Sequence, residues 1–127
     1  MSTEALMRYV AGLDAPACVI DPAGVVCVAN DAWIEAVDQG GGVLSLTPVR
    51  SDYLAFCDEI AIHGFPAAHQ LAQGIRDILE KRSGQWAMAY RHQAEGMQAY
   101  FAVRIESLDI DHCRHVLLSH RRVAMNA

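Results

Sequence analysis

The chain has 127 residues, is 53% hydrophobic and carries a formal charge of −5 from ten basic and fifteen acidic side chains. A chain of that size holds one core rather than two, and its composition is globular rather than disordered. The acidic balance and a single lysine, Lys81, argue against a phosphate-tracking surface, so no nucleic-acid partner is expected.

The basic residues near the end (Arg114, His115, His120, Arg121, Arg122) read as a solvated strand end. No apolar run approaches the ~20 residues that a membrane helix needs. Met1-Ser2-Thr3-Glu4 has no basic stretch leading into an apolar one, so no signal peptide is read and a cytoplasmic location is expected. Cys18, Cys27, Cys57 and Cys113 form no CxxC pair; they read as small buried hydrophobes, and no metal site is expected.

Ser2 or Thr3 caps a first helix whose Ala5, Leu6, Tyr9, Val10 and Leu13 share a face, and Pro16 ends that region. So short a helix must lay its stripe on the sheet or on a second subunit. Ala17-Cys18-Val19-Ile20 and Val25 to Ala29, joined by Asp21-Pro22-Ala23-Gly24, predict a hairpin. Asn30 or Asp31 caps a short helix from Ala32 to Val37, with Trp33 turned to the core. The glycines at 40–42 break it, and a loop runs to Arg50. Ser51 or Asp52 caps the next helix, whose Tyr53, Leu54, Cys57, Ile60 and Ala61 share a face. Pro66 opens the longest helix, with Ala68, Leu71, Ala72, Ile75, Ile78 and Leu79 as its apolar stripe. After Ser83-Gly84 come three strands: Gln85 to His92, Gly96 to Glu106 and Cys113 to His120.

In this order the chain resembles the PAS family of bacterial sensor domains. The residues that carry the resemblance are Asn30-x-Ala32-Trp33, Tyr53-Leu54-x-x-Cys57, Gly74-Ile75-Arg76, Tyr100-Phe101 with Val103-Arg104-Ile105, and His120. It spans roughly residues 13 to 120. The chain departs from the related subgroup at Tyr90-Arg91-His92-Gln93, where that subgroup has tyrosine-proline-cysteine-histidine. Arg121-Arg122-Val123 stands where an aspartate-isoleucine-threonine output motif is usual. The resemblance implies an α+β fold: a five-stranded antiparallel sheet with short helices over one face and an N-terminal helix. Residues 1–12 are then an amphipathic helix for dimerisation or sheet packing, 13–123 the sensor domain and 124–127 a tail. It further implies a non-enzymatic signalling module, a homodimer through the N-terminal helix, and a downstream signalling protein or fused effector. Its input would be a small ligand or a partner protein.

Trp33, Phe56, Leu71, Ile75, Tyr90, Phe101 and His120 are the candidate pocket lining, with His120 or Tyr90 supplying a hydrogen bond. His120 alternates with Val116 and Leu118 and so faces inward, its ring nitrogens expected to be satisfied by backbone. Haem is held in some PAS sensors by a histidine on the long helix, which makes His69 the candidate. His69 lies about 120° from the middle of the apolar stripe, on the solvent flank with Arg76. The asparagine-cysteine-arginine-phenylalanine motif of covalent flavin photochemistry is absent, and non-covalent flavin would rest on Trp33, Phe56 or Tyr90. No cofactor is required by the sequence. Asp111, Cys113 and His115 would share one face if all three were in a strand, but a polar turn entering an edge strand fits better.

Neither a nucleophile elbow nor a phosphate loop is present. Two other readings compete: a small α+β cone enzyme of the ketosteroid-isomerase type, with an acid such as Asp31 inside its pocket, and a purely structural dimerisation module.

Overall fold

The computed structural model describes residues 2–38, 47–94 and 97–123. Its elements are α1 (Thr3–Ala11), β1 (Ala17–Ile20), β2 (Val26–Ala29), α2 (Asp31–Asp38), α3 (Tyr53–Ile62), α4 (Pro66–Leu79), β3 (Gln85–Ala94), β4 (Met97–Ile110) and β5 (Cys113–Val123). The strands form one sheet in the order β2-β1-β5-β4-β3, and every pairing is antiparallel. This is the α+β architecture expected from the sequence.

Local chemistry sets the boundaries. Ser2 accepts from the Ala5 N–H and Asp52 from the Ala55 N–H, so both side-chain caps are in place. The α1 helix stops at Gly12, before Pro16 is reached, because Gly12 takes the C-cap and folds back on the Arg8 and Tyr9 carbonyls. In the β1–β2 turn the Asp21 carboxylate accepts from the Ala23 and Val25 N–H groups, and Gly24 takes a positive φ of 88°. The β4–β5 hairpin turns on Asp111 and His112, both at positive φ, the two-residue geometry whose twist matches the strands. Asp111 is thus a turn residue and shares no strand face with Cys113 and His115. β5, expected at an edge, lies between β1 and β4 because it pairs with both. The loop predicted from Gly40 to Arg50 falls outside the described residues up to position 46.

The sheet has two apolar faces. On the inner face Cys18, Ile20, Val103, Ile105, Val116 and Leu118 meet Trp33, Tyr53, Cys57, Leu71, Ile75 and Ile78 from the helices. On the outer face Leu6 and Val10 of α1 cover Ala17, Val19, Leu117 and Ile110. Two cysteines depart from the buried reading. Cys27 is the extra residue of a bulge, since Ile20 pairs with Val26 and Val19 with Val28; Cys113 directly follows the hairpin turn. Both are exposed, whereas Cys18 and Cys57 are buried.

Candidate functional site

The inner face becomes polar at one end of the sheet. Tyr90 pairs directly with Phe101, and Val103 with His120, which sets Tyr90, Phe101 and His120 on one face of three neighbouring strands. The Tyr90 and Phe101 rings stack with centroids 5.4 Å apart. His120 stands edge-on to both, at 5.5 Å from Tyr90 and 5.2 Å from Phe101. Phe65 closes on the Tyr90 ring edge-to-face at 6.4 Å. Nothing in the periodicity marks Phe65, which precedes α4 as its N-cap without a capping side chain.

His120 is 2% exposed, and its Nε2 lies 2.6 Å from the Tyr90 hydroxyl. The expected backbone partner is therefore a tyrosine hydroxyl instead. Either Tyr90 donates to Nε2 and Nδ1 carries the proton, or Nε2–H donates to the tyrosine oxygen and Nδ1 is a bare acceptor. In both tautomers the buried Nδ1 has no hydrogen-bond partner among the described residues. An unmet buried polar atom costs about 1–3 kcal/mol. Burial also pushes the imidazole pKa down to about 4, because the charged form loses its water.

Of the candidate lining residues, Trp33, Leu71, Ile75, Tyr90 and Phe101 belong to one buried cluster and His120 packs on its Tyr90 and Phe101 rings, while Phe56 is only half-buried and outside it. Trp33 packs on Tyr53 at 6.2 Å, and its indole N–H donates to the Thr47 carbonyl at 2.7 Å. The α4 stripe lies against the sheet so closely that a Cβ on Gly74 would stand 2.8 Å from the Trp86 ring. His69 is exposed, in a surface groove of about 560 Å³ shared with Asp58, Ala61, Ile62, Pro66 and Gln70. Beside it Arg76 makes a bidentate ion pair to Asp58, at 3.1 and 2.6 Å, that ties α4 to α3. That contact draws the Asp58 carboxyl below its ordinary value.

Burial pushes the Cys57 thiol up to about 12, with the Asp58 charge adding to it. Burial likewise raises Cys18. Neither thiol is a thiolate near neutrality, so neither is prepared for nucleophilic chemistry. Asp31 is exposed at the start of α2 and not enclosed as the cone-enzyme reading needs. Among the described residues no group of three histidines, cysteines or acids could hold a metal ion. No helix among them is long and apolar enough to cross a membrane.

No protein-family model and no curated protein matches the sequence. Solved structures do match the fold. The PAS domain of Bordetella pertussis BvgS is 14% identical, with 96% of this chain and 86% of that one covered and a TM-score of 0.66. A sensory box sensor histidine kinase from Vibrio cholerae is 13% identical, with coverage of 96% and 92% and a TM-score of 0.52. The phage VqmA–DPO complex is 14% identical, with coverage of 94% and 51% and a TM-score of 0.58. The five-stranded antiparallel sheet, its inner helical layer and these superpositions together give the chain the fold of a PAS domain.

Proposed function

We propose that the protein is a sensory PAS-type domain of a signalling system. Its input would be a small planar molecule bearing a hydrogen-bonding group, received against the inner face of the sheet. The observation that carries this reading is the buried Nδ1 of His120, without a hydrogen-bond partner among the described residues, beside the stacked Tyr90 and Phe101 rings. Aromatic walls supply shape and stacking for a flat ligand, and Nδ1 supplies one directional contact. Trp33, Leu71 and Ile75, which pack in the same inner cluster, would supply the apolar remainder of the lining, with the half-buried Phe56 at its margin. The similar Vibrio cholerae protein is a sensor histidine kinase, and the similar phage protein was solved with DPO. Both accord with a receptor role for this fold, without fixing the ligand here.

Signal output would follow from different ligand affinities for two packings of the domain, delivered to a signalling protein or fused effector. A homodimer through α1 is part of the same proposal: Met7 and Tyr9, on the two flanks of the stripe that Leu6 and Val10 lay on the sheet, are 55% and 47% exposed.

Ring-nitrogen NMR tests the input. A ligand of this class shifts the His120 Nδ1 resonance and raises the melting temperature, and both effects are lost in His120→Leu. A ligand that stabilises the protein equally in His120→Leu overturns the assignment of the site.

A further inference from the structure

Asn30 is 5% exposed at the junction of the two sheet faces, and its carboxamide is fully used. The Nδ2 group donates to the Ala15 carbonyl at 2.9 Å and lies 3.3 Å from Val10 O and 3.5 Å from Leu13 O. Oδ1 accepts from the Ala17 N–H at 3.1 Å and the Trp33 N–H at 2.9 Å. The Trp33 bond alone is a helix cap; the bonds to the three carbonyls serve no cap. Val10 O belongs to the last turn of α1 on the outer face, Leu13 O and Ala15 O to the segment that leads from α1 into β1, while Trp33 is packed in the inner cluster.

We infer that Asn30 makes the docking of α1 on the outer face and the seating of Trp33 on the inner face a single two-state event. If α1 lifts and draws residues 13–15 with it, all three carbonyls withdraw and Nδ2 is left buried without these acceptors. The carboxamide then has to turn toward water, which releases the Ala17 and Trp33 amides. Trp33 also holds the Thr47 carbonyl, so residue 47 follows. Conversely, a change in the seating of Trp33 alters the grip on α1. As a signal route this rests on the sensory reading above. The coupling itself does not, and the experiment below uses no ligand, so either can fail without the other.

Residue-resolved native-state hydrogen exchange on the full chain is the test. Leu6, 2% exposed on the sheet-facing side of α1, belongs to the outer cluster, so Leu6→Glu undocks the helix without touching the inner cluster. The coupling predicts that Leu6→Glu speeds exchange at Val10 and at the Trp33 amide by the same factor, at least about tenfold. Val103 and Leu118 amides should keep their rates. In Asn30→Asp, which retains the cap acceptor and loses the donors, Leu6→Glu should no longer move the Trp33 amide. Should Trp33 instead exchange with Val103 and Leu118 in both the unmodified and Leu6→Glu proteins, the coupling is refuted. Should the Leu6→Glu effect on Trp33 persist in Asn30→Asp, Asn30 is a cap and nothing more.

Discussion

At His120, desolvation sets the dependence of stability on pH. Its pKa is about 4 in the folded protein against an ordinary value near 6.5, so below 6.5 the unfolded chain binds a proton that the folded one refuses. Stability is therefore full above pH 6.5 and falls as pH drops from about 6.5 to about 4, by roughly 3 kcal/mol over the window. Urea unfolding across pH 4 to 7 should show that slope. It should flatten in the double variant Tyr90→Phe/His120→Leu, which removes both polar partners and leaves neither unpaired. An unchanged slope in the double variant would assign the pH dependence to other groups. Gly74 gives a second residue-scale prediction. Alanine is the better helix former, but a Cβ there would lie 2.8 and 2.9 Å from Trp86 ring atoms and 3.2 Å from the Ile105 Cδ1. The clash outweighs the propensity, because the atoms met belong to a rigid indole and not to the end of a flexible side chain. Gly74→Ala should lose about 1–3 kcal/mol and shift Trp86 fluorescence.

The elements show which features a sequence makes legible. Helices α3 and α4 and the β1–β2 hairpin were readable because their signals are local: the Asp52 cap, the Pro66 start, the three-to-four-residue spacing of Leu71, Ile75 and Ile78, and the Asp21 turn. The inward direction of His120, on the strand face it shares with Val116 and Leu118, followed from strand alternation. What no local signal carries is pairing between distant strands. The central place of β5, between β1 and β4, depends on contacts about a hundred residues apart and was misread as an edge. The same holds for Phe65, whose contact with Tyr90 is made only when α4 lies across the sheet, and for Asn30, which shows as a cap and not as a bridge to α1. The α1 helix lays Leu6 and Val10 on the sheet and carries the exposed Met7 and Tyr9 on the two flanks of that stripe. If α1 also pairs two subunits, Met7→Glu and Tyr9→Glu should shift sedimentation from dimer to monomer while leaving the circular dichroism unchanged. A monomer in the unmodified protein would remove the dimer from the proposal.

For the molecule as a whole, one sheet separates two apolar layers, and the inner layer ends in the aromatic group that holds His120. A domain built only to dimerise would gain stability by replacing Tyr90 and His120 together with Phe and Leu, since the buried Nδ1, without a hydrogen-bond partner among the described residues, is otherwise a cost. On the sensory reading proposed above, that polar atom is the contact for a polar ring. Native mass spectrometry of the protein purified from cells puts this to the most direct trial. The sensory account predicts a small organic molecule bound one per chain, released on unfolding and missing from His120→Leu. A bare polypeptide mass, or an adduct that survives in His120→Leu, would contradict it.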